Sequence, residues 1–393
     1  MNSEKLIKRD EKYILHTYAR SPLALVRGEG MTAYDAEGKA YLDFTSGIGV
    51  NSLGFCHPAW TAAVAAQAGA LQHISNLYVT APDAKLAKKL CKRTGMDKVF
   101  FGNSGAEANE GAIKAARKYS VDRYGEGRSK VATLVNSFHG RTLATLAATG
   151  QEVFHKDFGP FPGNFVYLPA GDFDALTAAD DGTLCAVVME LVQGEGGVYP
   201  MDQEFVHQLA VLCAENDWLL LVDEVQTGIG RTGTLFAYQQ YGILPDVVSF
   251  AKGIGGGLPL GGILANEKCR NVLGPGMHAT TFGGNPVSCA GGLSVLEQLD
   301  DGVLEEVKIK GELIRDYIAG LHSPYVAGVR GMGLMIGVQI QGISHKELAQ
   351  KCVDEGLLVL TAGKDTLRLL PPLTITKEEI MKGLAVLQRV LCA

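Results

Sequence analysis

Two short apolar runs, residues 219–222 and 247–250, constrain the fold of this chain more than any other feature of its sequence. Both are rich in β-branched or bulky residues and are soon followed by glycine, which is typical of strands buried in a parallel sheet. The first run leads into Asp223 and the second into Lys252. Because parallel strands end at one edge of a sheet, the pattern predicts that an acid and an amine share one crevice.

Lys252 is followed by three consecutive glycines, Gly255 to Gly257. A lysine enclosed at a strand end loses hydration, and this loss lowers the pKa of its ammonium group. An amine with a lowered pKa is suited to forming a Schiff base with a carbonyl group. The alternative is that Asp223 and Lys252 form a structural ion pair.

Strand-like runs alternate with loops or helices through to about residue 262, in the order VFFGN, KVATLVN, FVYLP, CAVVMEL, LLLVDE and DVVSFA. This alternation predicts an α/β domain with a mostly parallel sheet. Before it, apolar positions separated by turns predict a small antiparallel meander. The part from about residue 286 onward predicts a smaller α+β lobe.

The composition is that of an ordinary globular protein, since 47% of the 393 residues are hydrophobic and 20% are charged. A net charge of -6 argues against nucleic acid or an anionic membrane as the main partner. No apolar run reaches the ~20 residues of a membrane helix, and the charged N-terminus lacks a signal-peptide core. The eight cysteines are scattered without a CxxC pair. We therefore expect no metal site, no disulfides, and reduced thiols in a cytoplasmic protein.

Residues 228–233, GIGRTG, match the GxGxxG pattern of dinucleotide-binding turns. In such turns the first glycine comes directly after the strand. Here residues 223–227 intervene, so we interpret the segment as a loop and not as a nucleotide site.

An anion site is predicted at the start of the helix that follows VFFGN. Ser104 and Glu107 have the spacing of a capping box, which begins the helix at Ser104. The free N–H groups of Gly105 and Ala106, together with the helix dipole, favour a negatively charged group there. A well-capped helix without a ligand is the alternative.

Phe138 and Arg141 lie in the loop that follows KVATLVN. Phe138 can stack on a planar ligand or fill the core. Arg141 offers a fork for a carboxylate, or belongs to a surface ion pair. An anion site, a stacking ring, an acid and an amine are the four contacts that a pyridoxal phosphate ring requires, with Asp223 at the pyridine nitrogen.

Motifs along the chain carry a family resemblance: NSGAEANEGAIKAAR, NSFHGRT, LVDEVQTGIGRTG, SFAKGIGGGLPLGG, TTFGGNP and VRGMGLMIG, together with TYARSPLALVRGEG and YLDFTSGIGVNSLGFCHP. They resemble the class III aminotransferases, and among these most closely the acetylornithine aminotransferases. The resemblance covers essentially the whole chain, and the motifs occur in family order. It implies the type I fold of pyridoxal-phosphate-dependent transferases. In that fold a large α/β domain, residues 56–285, carries a mostly parallel seven-stranded sheet, and residues 1–55 and 286–393 form a small α+β domain.

The resemblance also implies roles for individual residues. Lys252 is similar to the lysine that bonds covalently to the cofactor, and Asp223 to the partner of the pyridine nitrogen. The remaining implied cofactor contacts are Gly105 and Ala106 at the phosphate, Phe138 and Val225 at the ring, Gln226 near the phenolic oxygen, and Thr281 at the phosphate of the neighbouring subunit. A site completed across an interface implies a homodimer with two-fold symmetry.

Three charged residues are implied in substrate binding. Arg141 resembles the arginine that binds the far carboxylate of each substrate, and Arg368 resembles the one that binds the near carboxylate of glutamate. Glu195 resembles the acid that pairs with Arg368 while the amine donor is bound. A permanent salt bridge between Glu195 and Arg368 is the alternative.

Three further positions are implied at the substrate. Thr280 and Tyr18 resemble residues that contact it. Gly47 stands where ornithine enzymes tend to carry a bulky aromatic residue, and its missing side chain leaves space for an N-acyl group.

The implied reaction moves the δ-amino group of N2-acetylornithine to 2-oxoglutarate, a step of arginine biosynthesis. Alternative amine donors are ornithine, succinylornithine and 4-aminobutyrate. A pyridoxal-phosphate-dependent aminomutase would use the same scaffold without an external keto acid, and a non-catalytic binding protein is a third class.

Overall fold

The computed structural model describes residues 2–392. Its strands are β1 (Leu25–Glu29), β2 (Thr32–Asp35), β3 (Ala40–Asp43), β4 (Lys98–Gly102), β5 (Lys130–Leu134), β6 (Phe165–Leu168), β7 (Leu184–Met189), β8 (Val192–Gln193), β9 (Tyr199–Pro200), β10 (Leu219–Asp223), β11 (Val247–Phe250), β12 (Gly261–Ala265), β13 (Val326–Met332), β14 (Met335–Ile340), β15 (Leu357–Leu358), β16 (Leu360–Ala362) and β17 (Thr366–Leu369). Its α-helices are α1 (Ser3–Tyr13), α2 (Ser46–Gly49), α3 (Pro58–Ala70), α4 (Ala81–Thr94), α5 (Gly105–Tyr124), α6 (Leu143–Ala148), α7 (Phe173–Ala179), α8 (Gln203–Glu215), α9 (Tyr238–Tyr241), α10 (Pro286–Gln298), α11 (Asp301–Ala319), α12 (His345–Asp354) and α13 (Lys377–Leu391). Short 3-10 helices lie at Glu152–Phe154 and Lys252–Gly255.

A seven-stranded sheet forms the centre of the fold, in the order β4-β12-β11-β10-β7-β5-β6. β10 pairs in parallel with β11 and β7, and β5 pairs in parallel with β7 and β6. The predicted mostly parallel seven-stranded sheet is therefore confirmed. β12 is the exception because it runs antiparallel to β11 and β4. The sequence did not predict β12, since glycines at its start and before it weaken the strand pattern.

Alternate residues of β10 enter two different cores. Leu220 and Val222 belong to the larger cluster of buried apolar side chains, whereas Leu219 and Leu221 belong to a second cluster. Successive residues of a strand point to opposite faces, so both faces of the sheet are covered. β7, β10 and β11 are buried along their whole length. That double burial explains why they form uninterrupted apolar runs in the sequence.

The two chain ends build smaller sheets beside the central one. One has the order β1-β2-β3-β15, and its β3 and β15 are parallel, with Leu42 opposite Leu357. The other has the order β13-β14-β17-β16 and carries Arg368 on β17. The predicted domain boundaries at residues 56 and 285 stay a prediction.

The GIGRTG segment forms a loop, as interpreted from the sequence, and its arginine is buried. Arg231 donates through Nη1 to the carbonyl oxygens of Leu334, at 3.1 Å, and Pro371, at 2.5 Å. Burial lowers the pKa of Arg231 to about 9, and the nearby Asp43 carboxylate opposes the shift. The loop therefore ties the central sheet to the strand that carries Arg368.

Among residues 2–392, no helix combines the length and apolar character needed to cross a membrane. The same residues contain no cluster of three or more histidine, cysteine, aspartate or glutamate side chains arranged to hold a metal ion.

Candidate active site

A cavity of about 420 Å³ opens where β5, β7, β10 and β11 end. Seven of the eight predicted cofactor residues line it, namely Gly105, Ala106, Phe138, Asp223, Val225, Gln226 and Lys252. Asp223 is the last residue of β10, and Lys252 comes two residues after β11. The parallel topology thus brings together the acid and the amine that the sequence placed at two strand ends.

The N-terminus of α5 forms one wall of the cavity. Ser104 caps the helix, since its Oγ accepts from the backbone N–H of Glu107 at 3.2 Å. The backbone N–H groups of Gly105 and Ala106, in the same turn, have no acceptor within the helix and are available to an anion. A Cβ atom at Gly105 would lie 2.7 and 2.9 Å from the two methyl groups of Val225, so only glycine fits here. The geometry suits a phosphate held by backbone against a ring that rests on Val225.

Asp223 also lines the cavity and is 4% exposed. Its Oδ1 accepts from the backbone N–H of Val225 at 3.0 Å. Its Oδ2 accepts from Nδ1 of His139 at 2.8 Å and from Nδ2 of Asn109 at 2.7 Å. The acid is therefore held by three hydrogen-bond donors from the surrounding protein.

Lys252 is half-buried and reaches the same cavity. Burial lowers the pKa of its amine, while the carboxylate of Glu195 opposes this and the Arg368 guanidinium adds to it. Within residues 2–392 Asp223 pairs with His139 and not with Lys252. The alternative of a structural ion pair between Asp223 and Lys252 is therefore wrong.

Phe138 and Arg141 lie on the loop after β5. The Phe138 ring lines the cavity, and its backbone N–H donates to Oε2 of Glu190 at 3.0 Å. The Arg141 guanidinium is exposed and lies 4.1 Å from the centre of the Phe154 ring. In the described part of the chain it forms no ion pair with a carboxylate, so its charge is available to a ligand.

Arg368 and Glu195 meet at the side of the cavity that faces the smaller sheets. Arg368 donates through Nη1 to Oε1 of Glu195 at 2.6 Å and to Oε1 of Gln226 at 3.1 Å. The arginine side chain is 3% exposed, whereas the glutamate side chain is 30% exposed. The pair can therefore open by rotation of Glu195 while Arg368 stays in place.

Neither Arg141, Glu195 and Arg368 nor the other predicted residues line this cavity itself. Thr281 is exposed on a groove that also contains Asn76 and Leu77. Thr280 accepts through Oγ1 from Nδ2 of Asn103 at 2.9 Å and lies on the same groove. Tyr18 and Gly47 are both exposed, on the N-terminal segment and on α2.

Comparison with known families accounts for this arrangement. Residues 13–391 match the family described as class-III aminotransferases. The chain belongs to the class-III aminotransferases. Their reaction takes an amino group from a donor and gives it to a keto acid.

Individual class-III aminotransferases resemble the chain over its whole length. The acetylornithine aminotransferase of Haemophilus ducreyi is 51% identical over 393 residues, covering 100% of this chain and 99% of that protein. The crystal structure of acetylornithine aminotransferase from Elizabethkingia anophelis has a TM-score of 0.89 at 32% identity and covers 100% and 99% of the two chains. An ornithine aminotransferase from Toxoplasma gondii, reported with partial occupancy of PLP in its active site, has a TM-score of 0.94 at 30% identity and covers 99% and 94%.

Pyridoxal phosphate is the cofactor of this class-III aminotransferase, and the cavity fits it. The capped helix with its glycine suits the phosphate, Asp223 suits a protonated ring nitrogen, and Lys252 is an amine of lowered pKa. The Phe138 and Val225 side chains line the same cavity and are suited to cover a flat ring.

Three residues of this class-III aminotransferase site were missed in the sequence: Asn109, His139 and Glu190. Each lines the cavity. Two signals pointed to them: His139 is next to Phe138, and Asn109 is four residues after Gly105, on the same helix face. Glu190 is fully buried, and burial raises the pKa of its carboxyl to about 7, with the charge of His139 opposing.

Proposed function

We propose that the protein transfers the δ-amino group of N2-acetylornithine to 2-oxoglutarate, yielding N-acetylglutamate 5-semialdehyde and glutamate, in arginine biosynthesis. The observation that carries this proposal is the full-length 51% identity to a curated acetylornithine aminotransferase. The geometry supports it, since Arg141 is free for a distant carboxylate and Arg368 has a partner that can release it.

Gly47 supports the acylated donor. Its backbone is left-handed, with φ of 60°, and an added Cβ would meet only Nδ2 of Asn51, at 3.6 Å. Its neighbour Val50 lines the cavity. A bulky side chain at position 47 would occupy space beside the entrance, and its absence leaves that space to an N-acyl group.

The positions of the residues support the following proposed roles. The bound cofactor supplies an electron sink that stabilises negative charge on the substrate carbon. Asp223 holds the proton on the ring nitrogen, and Lys252 Nζ moves the proton between the substrate carbon and the cofactor. Val225 and Phe138 keep the ring in position, and Gln226 lies between the ring site and Arg368.

We further propose that a second copy of the chain completes the site, with Thr281 reaching the partner's phosphate. Leu77 lines the same groove as Thr281, Phe282 follows Thr281 in the chain, and Val79 lies two residues after Leu77. Their side chains are exposed, by 86% at Leu77, 63% at Phe282 and 91% at Val79. Asn76 joins the two segments by donating to the Gly283 carbonyl at 2.9 Å. Large exposed apolar side chains grouped on joined segments are typical of a protein–protein interface. Eight cysteines without a disulfide among the described residues support a cytoplasmic location.

The test is half-reaction kinetics of the pyridoxal phosphate enzyme with acetylornithine, succinylornithine, ornithine and 4-aminobutyrate, followed by 2-oxoglutarate. We expect the highest kcat/KM with acetylornithine and no turnover without the keto acid. Preference for another amine would overturn the substrate assignment, and turnover without 2-oxoglutarate would indicate an aminomutase. The Lys252→Ala variant should fold normally and be nearly inactive.

A further inference from the structure

Asp223, the acid placed at the ring nitrogen in the proposed function, is buried and accepts several hydrogen bonds. The Asp223 carboxylate accepts three hydrogen bonds, one at Oδ1 and two at Oδ2. An ionised carboxylate has about four acceptor positions. One acceptor position on Oδ1 is therefore unused, and Asp223 lines the cavity.

The three donors come from separate parts of the chain, which fixes the carboxylate in all directions. Val225 follows β10, Asn109 lies on α5, and His139 lies on the loop after β5. Asn109 also donates through Nδ2 to the backbone carbonyl of His139, at 2.7 Å. The backbone N–H of His139 donates to Oγ1 of Thr149 at 3.0 Å. The imidazole is therefore held at its own backbone as well as at its ring.

A role in stability alone does not account for His139. Its side chain is fully buried, yet Nε2 has no hydrogen-bond partner among residues 2–392. Leaving a buried polar atom unpaired costs roughly 1–3 kcal/mol, so an apolar residue would serve stability better. What the histidine supplies, and an apolar residue does not, is the Nδ1–H donor to Asp223; the histidine is the donor because an ionised carboxylate can only accept.

We propose that His139 and Asn109 are positioning residues for Asp223: their two donors on Oδ2 fix the orientation of the carboxylate and aim Oδ1 at the ring nitrogen of the cofactor. This inference rests on the proposed function, since it assigns Asp223 to that nitrogen. Burial lowers the pKa of His139, but the hydrogen bond to Asp223 and the charges of Asp223 and Glu190 together outweigh burial, so the pKa is raised. Glu190, directly after β7, is a further acid near both members of the pair, and the amine of Lys252 also lies near Asp223.

The test compares His139→Ala, His139→Asn and Asn109→Ala as apo-proteins titrated with pyridoxal phosphate, together with the absorbance spectrum of each loaded protein across pH. We expect His139→Ala and Asn109→Ala to bind the cofactor roughly 10–100-fold more weakly, the loss typical when an outer hydrogen-bond partner of a binding group is removed. Their spectra should show the ring nitrogen losing its proton at lower pH. His139→Asn should restore most of the affinity, because the asparagine amide can donate from near the position of Nδ1.

Controls separate this inference from general damage and from the proposed function. His345→Asn removes another buried histidine, at the start of α12, and should leave cofactor affinity and spectrum unchanged. Asp223→Asn is the reference for loss of the ring-nitrogen contact. If Asp223→Asn is impaired and His139→Ala is not, or if His139→Asn is as weak as His139→Ala, the positioning role is wrong. If Asp223→Asn itself binds like the unchanged protein, the assignment of Asp223 in the proposed function fails instead.

Discussion

At the scale of single residues, the backbone of Lys252 shows how tightly the amine is held. Its φ of 48° lies in the left-handed region, where a non-glycine residue costs roughly 1–3 kcal/mol and persists only if its surroundings enforce it. The neighbouring glycines let other residues pack closely against this part of the backbone. A Cβ at Gly253 would lie 2.5 Å from Oγ of Ser52, and one at Gly256 would lie 2.6 Å from Nε1 of Trp60.

Gly105 gives the first prediction. In Gly105→Ala the new methyl group must displace the side chain of Val225, whose two methyl groups would lie within 3 Å of it. We expect cofactor affinity to fall about tenfold or more, measured by titrating the apo-protein with pyridoxal phosphate, because both the phosphate cradle and the ring support move. Gly69→Ala is the matched control, since nothing lies within 4 Å of a Cβ there. Equal affinities in the two variants would contradict the fit of the cofactor to this wall.

Glu195 gives the second prediction. Glu195→Gln removes the charge that Arg368 neutralises, so Arg368 becomes free for the near carboxylate of glutamate. We expect the ratio of kcat/KM for glutamate to that for acetylornithine to rise about tenfold, which is the size of effect expected when one hydrogen bond to a charged group is gained. Steady-state kinetics with both donors measure it. An unchanged ratio together with a lower melting temperature would support the permanent salt bridge.

The sequence predicts the cavity residues that belong to local patterns, but not the residues that contact Asp223 from distant parts of the chain. The capping box at Ser104 and the strand ends at Asp223 and Lys252 are visible within a few positions of the chain. Asn109 and His139 meet Asp223 across 114 and 84 residues, and no local pattern encodes such contacts. Thr281 lies outside the cavity, so its proposed role requires a second copy of the chain, which sequence spacing does not describe.

At the scale of elements, β10 ends in two acids with different surroundings. Glu224 turns away from the cavity and accepts from Oγ1 of Thr227 at 2.6 Å and from the backbone N–H groups of Ala237 and Tyr238 at 3.0 and 2.8 Å. These bonds hold the loop after β10 against the start of α9. Burial raises the pKa of Glu224 to about 7, although the hydrogen bonds oppose the shift.

This shift makes stability depend on pH. Because the folded pKa of Glu224 lies above its ordinary value, its contribution to stability is full below about pH 4.5 and is lost as pH rises to about 7. Glu224→Gln does not titrate, so the stability advantage of the unchanged protein over this variant should shrink by about 3 kcal/mol over that range. Urea denaturation between pH 5 and 8 measures it. Glu312→Gln, on the exposed face of α11, should show no such trend, and the same flat result for Glu224→Gln would refute the prediction.

The elements themselves followed from the sequence where burial was simple. β7, β10 and β11 are covered on both faces, so their apolar runs identified them. β12 was not found, because its place between β11 and β4 is set by tertiary pairing and its first residues are glycines. A Cβ at Gly261 would lie 2.9 Å from two backbone oxygens, so close packing and not strand propensity determines this strand.

At the scale of the whole molecule, the exposed apolar surface around Val79 gives the last prediction. Val79→Glu places a charge at the centre of the proposed subunit interface, where an unpaired buried charge is costly. We expect sedimentation to show monomer, and cofactor affinity to fall because Thr281 no longer reaches the partner. Val211→Glu, at another exposed valine on α8, is the control and should remain dimeric. A dimer of normal affinity from Val79→Glu would place the interface elsewhere.

The pairing of β3 with β15 has a consequence for how the protein is made. Leu42 can pair only after the ribosome has added Leu357, which comes 357 − 42 = 315 residues later in the chain. At about 5–20 residues per second, that delay lasts roughly 15–60 s. Throughout it the nascent chain presents an open strand edge, the kind of surface on which other polypeptides join a sheet. β3 is thus made long before the strand that covers its edge, and that edge stays uncovered until β15 has been made.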